Sequence, residues 1–432
     1  MDKGMNSVRE VAEAAKRDSF HLAAVSEDVR DDALRRVAIA LDESHGAIIA
    51  ENEKDLVAAH ADDLPEPIVK RLKFGEDKIG DVIAGIHDLV HLPDPVGRTL
   101  SRRQLDEGLI LEQITCPIGV IGVIFESRPD ALVQIASLCI KSGNCAVLKG
   151  GSEAKHTNRI LFEKIHAAGM SAGLPEGFLS LLESREEIAG LLGCHEYVDL
   201  VIPRGSNAFV RHIMNSSEIP VMGHADGVCH VYVDKAADIA KAVPIIRDSK
   251  VQYAAACNAV ETVLVHSDVA ESLLPPLEKE LREREVVVRG TDRVAQIIAG
   301  VDAASEDDWT MEYLDFIVSV NIVDDLGEAI DHINTYGSHH TDCIITEDAV
   351  AAERFMELVD SAGVYQNCST RFADGFRYGL GAEVGISTGK LHARGPVGLD
   401  GLTTYKYRLY GGGHIVADYA EGRRSFCFKE LQ

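Results

Sequence analysis

The chain has 432 residues, 46% of them hydrophobic and 26% charged, which calls for two or three water-facing globular domains rather than one core. Its formal net charge of −26 repels nucleic acid and anionic membranes, so neither is expected as a main partner. An anionic substrate must therefore be captured by a local cluster of Arg and Lys.

Residues from Ser7 to Leu92 read as helices, with apolar positions recurring at three and four, as in Val29, Ala33, Val37 and Leu41. Ser26 before Glu27 and Asp28 is the expected N-cap of one of them. Residues 101–116 change character. Arg102-Arg103 and Leu109–Ile114 flank the turn Asp106-Glu107-Gly108, which makes a hairpin. Such a hairpin either forms an ordinary sheet edge or pairs with another subunit.

From Gly119 strands and helices alternate. Strands are expected at 120–125, 145–148, 178–182 and 199–203, with helices at 129–142, 154–168 and 186–192 and another after Ser206. A second alternation begins near Val231. It has helices at 236–247, 268–283, 292–299, 326–334 and 348–359, and strands at 260–265, 286–288, 316–320, 342–346 and 363–366. Apolar strands alternating with helices mean parallel, doubly wound sheets, whose ligands sit at the carboxyl ends of the strands. The turns Glu126-Ser127-Arg128, Lys149-Gly150-Gly151-Ser152 and Arg204-Gly205-Ser206 fall at such ends. No G-x-G-x-x-G follows a strand, so the usual dinucleotide fingerprint is absent. Near the end, Ser369-Thr370-Arg371 leads into the glycine-rich run 379–389 and then Lys390-Leu-His392-Ala-Arg394, a set suited to phosphate or carboxylate.

Nine cysteines, an odd number without a C-x-x-C, are not a disulfide framework or a zinc site, and they indicate a reducing, cytoplasmic compartment. No signal core and no apolar run of about 20 residues is present. Cys257 stands apart. It closes the run Ala254-Ala255-Ala256-Cys257-Asn258-Ala259, just before the β-rich Val260–Val265. Small neighbours leave room to approach the sulfur, whereas a core cysteine keeps larger apolar company. A reachable thiolate is the strongest nucleophile available near neutral pH. On this pattern alone a packed core thiol stays the commoner reading.

Two α/β units, a cysteine opening the second and a Lys-ended strand in the first resemble the aldehyde dehydrogenase superfamily. Phe125-Glu-Ser-Arg-Pro129, Val147-Leu-Lys-Gly-Gly-Ser152, Ala255-Ala-Cys-Asn258, Gly379-Leu-Gly-Ala-Glu-Val-Gly-Ile-Ser387 and Lys390-Leu-His-Ala-Arg-Gly-Pro396 are similar to the γ-glutamyl phosphate reductase family within it. The resemblance covers essentially the whole chain. It implies an α/β, aldehyde dehydrogenase-like fold of two doubly wound domains plus a β-hairpin oligomerisation arm. Residues 1–100 and 117–229 would bind the nucleotide, 230–395 would carry Cys257, and 101–116 with 396–432 would form the arm and C-terminal segment.

The resemblance also implies roles. Cys257 matches the nucleophile, and Ser127 falls where hydrolytic relatives place an oxyanion-hole asparagine. Lys149, Ser152, Gly205, Ser206 and Glu312 match cofactor-binding positions. Ser152 stands where NAD-preferring relatives often hold a glutamate, so NADP(H) is the expected cofactor, although Glu153 is adjacent. Arg128, His224, Ser369, Thr370, Arg371 and Arg394 are the candidates for phosphate and α-carboxylate. Hydrolytic relatives carry a general-base glutamate in the stretch that here reads Ile219–Tyr232, which has none. That absence argues for acyl-phosphate chemistry: NADPH-dependent reduction of L-glutamyl 5-phosphate through a cysteine thioester, in proline biosynthesis. His224 or Asp226 stays open as a base. Expected partners are the small-molecule substrate, further copies of the chain in a dimer or tetramer, and a glutamate 5-kinase. No metal is expected, and His339-His340 reads as structural.

Overall fold

The structure is a computed structural model that describes residues 2–184, 186–224 and 226–431. The chain divides into two compact units, Met1–Met222 with Leu380–Gly385 and Val397–Gln432, and Gly223–Gly379 with Ile386–Pro396.

The first unit opens with helices Asp2–Leu22, Glu27–Glu43, His45–Ala61, Glu66–Leu72 and Glu76–His91. The second of these buries Ala33, Leu34, Val37 and Leu41 on one stripe, as the three-and-four spacing requires. Ser26 holds the N-cap position in extended backbone, but its side chain makes no capping bond, so only Glu27 and Asp28 support that end. Strands β1 (Thr99–Asp106) and β2 (Leu109–Pro117) form the hairpin. Then β3 (Val120–Phe125), β4 (Cys145–Gly150), β5 (Leu179–Leu182) and β6 (Leu200–Arg204) build a parallel sheet in the order β5-β4-β3-β6.

The second unit holds β7 (Cys229–Val233), β8 (Val260–His266), β9 (Val287–Gly290), β10 (Asp302–Ala303), β11 (Ile317–Val323), β12 (Thr341–Ile345) and β13 (Gly363–Gln366). They pair in parallel in the order β10-β9-β11-β8-β7-β12-β13. Every residue of β7, β8 and β12 is buried, because helices cover both faces. The period of two divides their side chains between two cores. Val231, Val233, Val263 and Val265 pack with Ile246 and Leu273. Tyr232, Leu264 and Ile344 pack with Ile330 and Phe355. Each such side chain contributes about 1.5–3 kcal/mol by leaving water. The helix expected at 236–247 runs Ile239–Val251, because the Asp238 carboxylate accepts the Ala240 N–H at 2.9 Å and sets its start. The short antiparallel pair β14 (Ile386–Ser387) and β15 (Gly395–Pro396) was not expected from sequence; two residues on each side carry no periodic signal.

The chain then returns to the first unit as β16 (Thr403–Tyr410) and β17 (Lys429–Glu430), giving a four-stranded sheet β16-β2-β1-β17. The hairpin's neighbours on both sides thus come from its own chain. β16 remains an outer strand with Tyr405, Tyr407 and Leu409 largely exposed. Among the described residues no helix is long and apolar enough to cross a membrane.

Candidate active site

Parallel strands put loops at defined ends. In the first unit Glu126–Arg128, Gly151–Ser152 and Gly205–Ser206 follow the adjacent strands β3, β4 and β6 at their carboxyl ends. In the second unit the order reverses. Gly227 precedes β7, Cys257 precedes β8 and His340 precedes β12, and these three strands are neighbours. The cysteine therefore sits at the amino ends of its sheet, against the carboxyl-end placement expected from the doubly wound pattern.

Cys257 lies half-buried in the turn between helix Ile239–Val251 and β8. Three contacts within the unit hold this turn. Gly227 packs so closely that a Cβ there would lie 2.0 Å from the Cys257 carbonyl oxygen, so glycine is required by the approach itself. Cys229 Sγ contacts the same carbonyl at 3.4 Å. Asn258 Nδ2 donates to the Ala373 carbonyl at 2.7 Å and ties the turn to the loop carrying Ser369–Arg371.

His340 Nε2 lies 3.2 Å from Cys257 Sγ, and its Nδ1 lies 2.9 Å from Thr341 Oγ1. The ring is fully buried. His224 stands edge-on to it, with ring centroids 4.9 Å apart. His224 Nδ1 lies 2.8 Å from the Ile386 carbonyl. A thiol beside an imidazole has a proton acceptor at hand, which is the arrangement of an activated nucleophile. Other thiols are poorly suited to that role. Burial pushes Cys139 and Cys343 up to about 12 and raises Cys116, Cys194 and Cys368 as well. The sequence reading took His340 as structural; strand order brings it to the cysteine.

Arg371 is buried, donates Nε–H to Gln252 Oε1 at 2.9 Å and stands over the Tyr253 ring at 5.9 Å. Burial is the largest influence on its guanidinium and draws its pKa down; Arg377 adds to that, and Cys257 acts in the opposite sense. Ser369 Oγ and the Thr370 N–H both meet Ser249 Oγ at 3.2 Å, and Thr370 Oγ1 is buried with no hydrogen-bond partner. Arg394 instead forms an ion pair with Asp360 at 3.0 Å, shared with Lys390 at 2.6 Å.

Behind the cysteine, Lys250 and Glu261 form a wholly buried ion pair at 2.6 Å. Burial pushes the Glu261 carboxyl up to about 8; Lys250 opposes this and the nearby charge of Glu312 adds to it. Glu312 itself is half-buried on the segment before β11.

In the first unit, Lys149 is buried at the end of β4 with Nζ on the Gly150 carbonyl, and burial lowers its pKa. Ser152 and the Gly205-Ser206 turn are exposed, and Ser206 stands at the N-cap position of helix Asn207–Ser216 without a side-chain capping bond. Its N–H is taken by Glu126 Oε2 at 3.0 Å. Ser127 adopts a left-handed backbone (φ +46°), and both its N–H (2.6 Å) and its hydroxyl (2.7 Å) donate to Glu153 Oε1. Glu126 and Glu153 are thus carboxylates that the sequence reading left without a role. Arg128 is exposed at the start of helix Pro129–Ser142.

Known proteins agree with this architecture. The aldehyde dehydrogenase family model matches residues 2–307. A γ-glutamyl phosphate reductase of Pelotomaculum thermopropionicum is 55% identical over 424 residues, covering 98% of each chain. One from Acetivibrio thermocellus is 56% identical over 425 residues, again covering 98% of both. The crystal structure of the γ-glutamyl phosphate reductase of Thermotoga maritima aligns with a TM-score of 0.93 at 37% identity, over 94% of this chain and 99% of that one. The chain belongs to the aldehyde dehydrogenase family and, within it, to the γ-glutamyl phosphate reductases.

Proposed function

We propose that this enzyme reduces L-glutamyl 5-phosphate to L-glutamate 5-semialdehyde and phosphate, with NADPH as reductant and Cys257 as the covalent nucleophile. The observation that carries the chemistry is the 3.2 Å approach of His340 Nε2 to Cys257 Sγ. His340 takes the thiol proton as the sulfur attacks the γ-acyl carbon. The carbon–oxygen bond to phosphate breaks, phosphate leaves and a thioester remains on Cys257. After reduction of that carbon the carbon–sulfur bond breaks and the aldehyde departs, with the oxyanion held by the Cys257 backbone N–H. Ser127 is the proposed side-chain donor to that oxyanion; in the structure its hydroxyl is given to Glu153.

The cofactor supplies the hydride when bound. The first unit suits such a group. Exposed Ser152 and the Gly205-Ser206 turn follow β4 and β6, the two strands that flank β3, and the turn opens a helix; its Ser206 N–H becomes a donor for a pyrophosphate once Glu126 releases it. Lys149 and Ser152 are assigned to the adenosine ribose, without a carboxylate at position 152 to oppose a 2′-phosphate, and Glu312 to the nicotinamide ribose. Arg371 is assigned to the substrate phosphate, because it is a buried cation on the loop that the Asn258–Ala373 hydrogen bond ties to the Cys257 turn. Ser369, Thr370, His224, Arg128 and Arg394 complete the set for phosphate and α-carboxylate; Arg394 does so from its pair with Asp360. A kinase that phosphorylates glutamate must supply the acyl phosphate. The expected assembly is a homo-oligomer in the cytoplasm, built through the outer strand β16.

The test is NADPH oxidation with L-glutamyl 5-phosphate. The native chain turns over and Cys257→Ala does not. Undiminished turnover in Cys257→Ala would remove the thioester route.

A further inference from the structure

Three soft donors converge on one point of the second unit. One ligand atom each from His224, Cys257 and His340 lies within 4.8 Å of the other two. A tetrahedral zinc site with metal–sulfur near 2.3 Å and metal–nitrogen near 2.0–2.1 Å needs donor separations of about 3.3–3.6 Å. The sulfur and His340 Nε2, at 3.2 Å, need to part by only about 0.3 Å to reach that spacing. His224 offers its ligand atom within 4.8 Å of both and would close on them by up to about 1.5 Å when the metal binds.

The tautomers suit ligation. The Ile386 carbonyl only accepts, so His224 Nδ1 carries a proton, which leaves Nε2 as the ligating nitrogen. A ring nitrogen held this way by a backbone carbonyl is the usual outer support of a zinc-bound histidine. His340 likewise has Nδ1 on Thr341 Oγ1 and turns Nε2 to the sulfur. The small run Ala254–Ala256 keeps the approach to the sulfur open.

We infer that His224, Cys257 and His340 form a three-ligand site for a soft divalent cation of the Zn²⁺ class, and that its occupation silences the enzyme reversibly. On binding, the Cys257 thiol proton is released to solvent and a sulfur–metal bond forms. Three protein donors leave a fourth position for water or an anion. No electron is transferred, and removal of the metal restores the free thiol. The site stands on geometry alone; the inhibition rests in addition on Cys257 being the nucleophile proposed above.

Cobalt(II) is the probe, because thiolate ligation gives a charge-transfer band and four-coordination intensifies the visible bands. Chelator-treated native chain titrated with Co²⁺ is expected to saturate at one equivalent with both features, and Zn²⁺ to displace them. Cys257→Ser loses the charge-transfer band. His224→Ala, at a half-buried position, weakens Co²⁺ binding by about tenfold or more and alters the visible bands. Native chain with Zn²⁺ loses NADPH-dependent turnover, and a chelator restores it. A native chain without a saturable band, or a band unchanged in Cys257→Ser, overturns the site. Co²⁺ binding at these residues without inhibition keeps the site and removes the silencing. An enzyme with no turnover at all, but with the dependence on Cys257 and His224 intact, fails the proposed reaction and not the site.

Discussion

Cys257 Sγ and His340 Nε2 lie 3.2 Å apart although 83 positions separate them in the chain. The contact follows from strand order: β8 and β12 flank β7, so the residues just before each strand meet at the same end of the sheet. Alkylation at neutral pH reads the consequence. Cys257 is expected to react faster than the exposed Cys427. His340→Gln should slow Cys257 on the order of tenfold, with Cys427 unchanged. The same variant should lower kcat/KM by about 10²–10⁴, the usual range for loss of a positioned base. Equal labelling of Cys257 in both chains would show that His340 leaves the thiol untouched.

Lys250 and Glu261 should behave as a unit. Lys250→Met leaves a wholly buried carboxyl without its counterion and, above about pH 8 where that carboxyl is ionised, is expected to cost about 3–5 kcal/mol in urea unfolding. Lys250→Met with Glu261→Leu should recover most of that loss. The pH dependence has a definite sign. Glu261 rises through burial from 4.5 to about 8, so the folded state keeps a proton that the unfolded chain gives up. Its contribution therefore falls as pH rises from about 4.5 to 8, and the single variant should be weakest at the alkaline end. A double variant as unstable as the single one would mean that the pair acts through packing alone.

His332 provides an acid limb. It packs against Trp309 and Tyr336 at ring distances of 5.3 and 4.7 Å, with Nε2 buried and unpartnered. Burial, then the charge of His230, lowers it from 6.5 to about 3. Its stabilising effect is complete above about 6.5 and is lost as pH falls toward 3, because only the unfolded chain takes the proton there. His332→Phe should flatten the stability curve in that window by up to about 1.4 kcal/mol per pH unit. An unchanged slope would place the acid sensitivity elsewhere.

Cofactor choice should turn on Ser152. Ser152→Glu places a carboxylate at an exposed strand-end position beside Lys149. The ratio of kcat/KM for NADPH to that for NADH should fall by about tenfold or more, equivalent to about 1.4 kcal/mol. No change in the ratio would move the 2′-phosphate away from this residue.

The alternation of strands and helices was legible because buried parallel strands read as short apolar runs. Helix Glu186–Leu192 and strands β3 and β13 fall where the pattern placed them. Within 396–432, expected as the arm and C-terminal segment, Thr403–Tyr410 forms a strand that pairs with β2 of the same chain. Cys257 was legible from its small neighbours. His340 was not, since its meaning depends on which strands are adjacent, and β7, β8 and β12 are far apart in sequence. Glu153 was seen only as a neighbour of Ser152; its hold on Ser127 follows from the left-handed backbone at Ser127, which carries no sequence mark in a serine. The two-residue ladder of β14 and β15 is too short for any period to register.

A Cys257 thioester exchanged with phosphate rather than water makes oxidation depend on phosphate. Oxidation of L-glutamate 5-semialdehyde by NADP⁺, with and without inorganic phosphate, tests it in the native chain and in Cys257→Ala. The account predicts turnover only with phosphate, and none in the variant. Steady turnover without phosphate would mean that water resolves the thioester, and would contradict it.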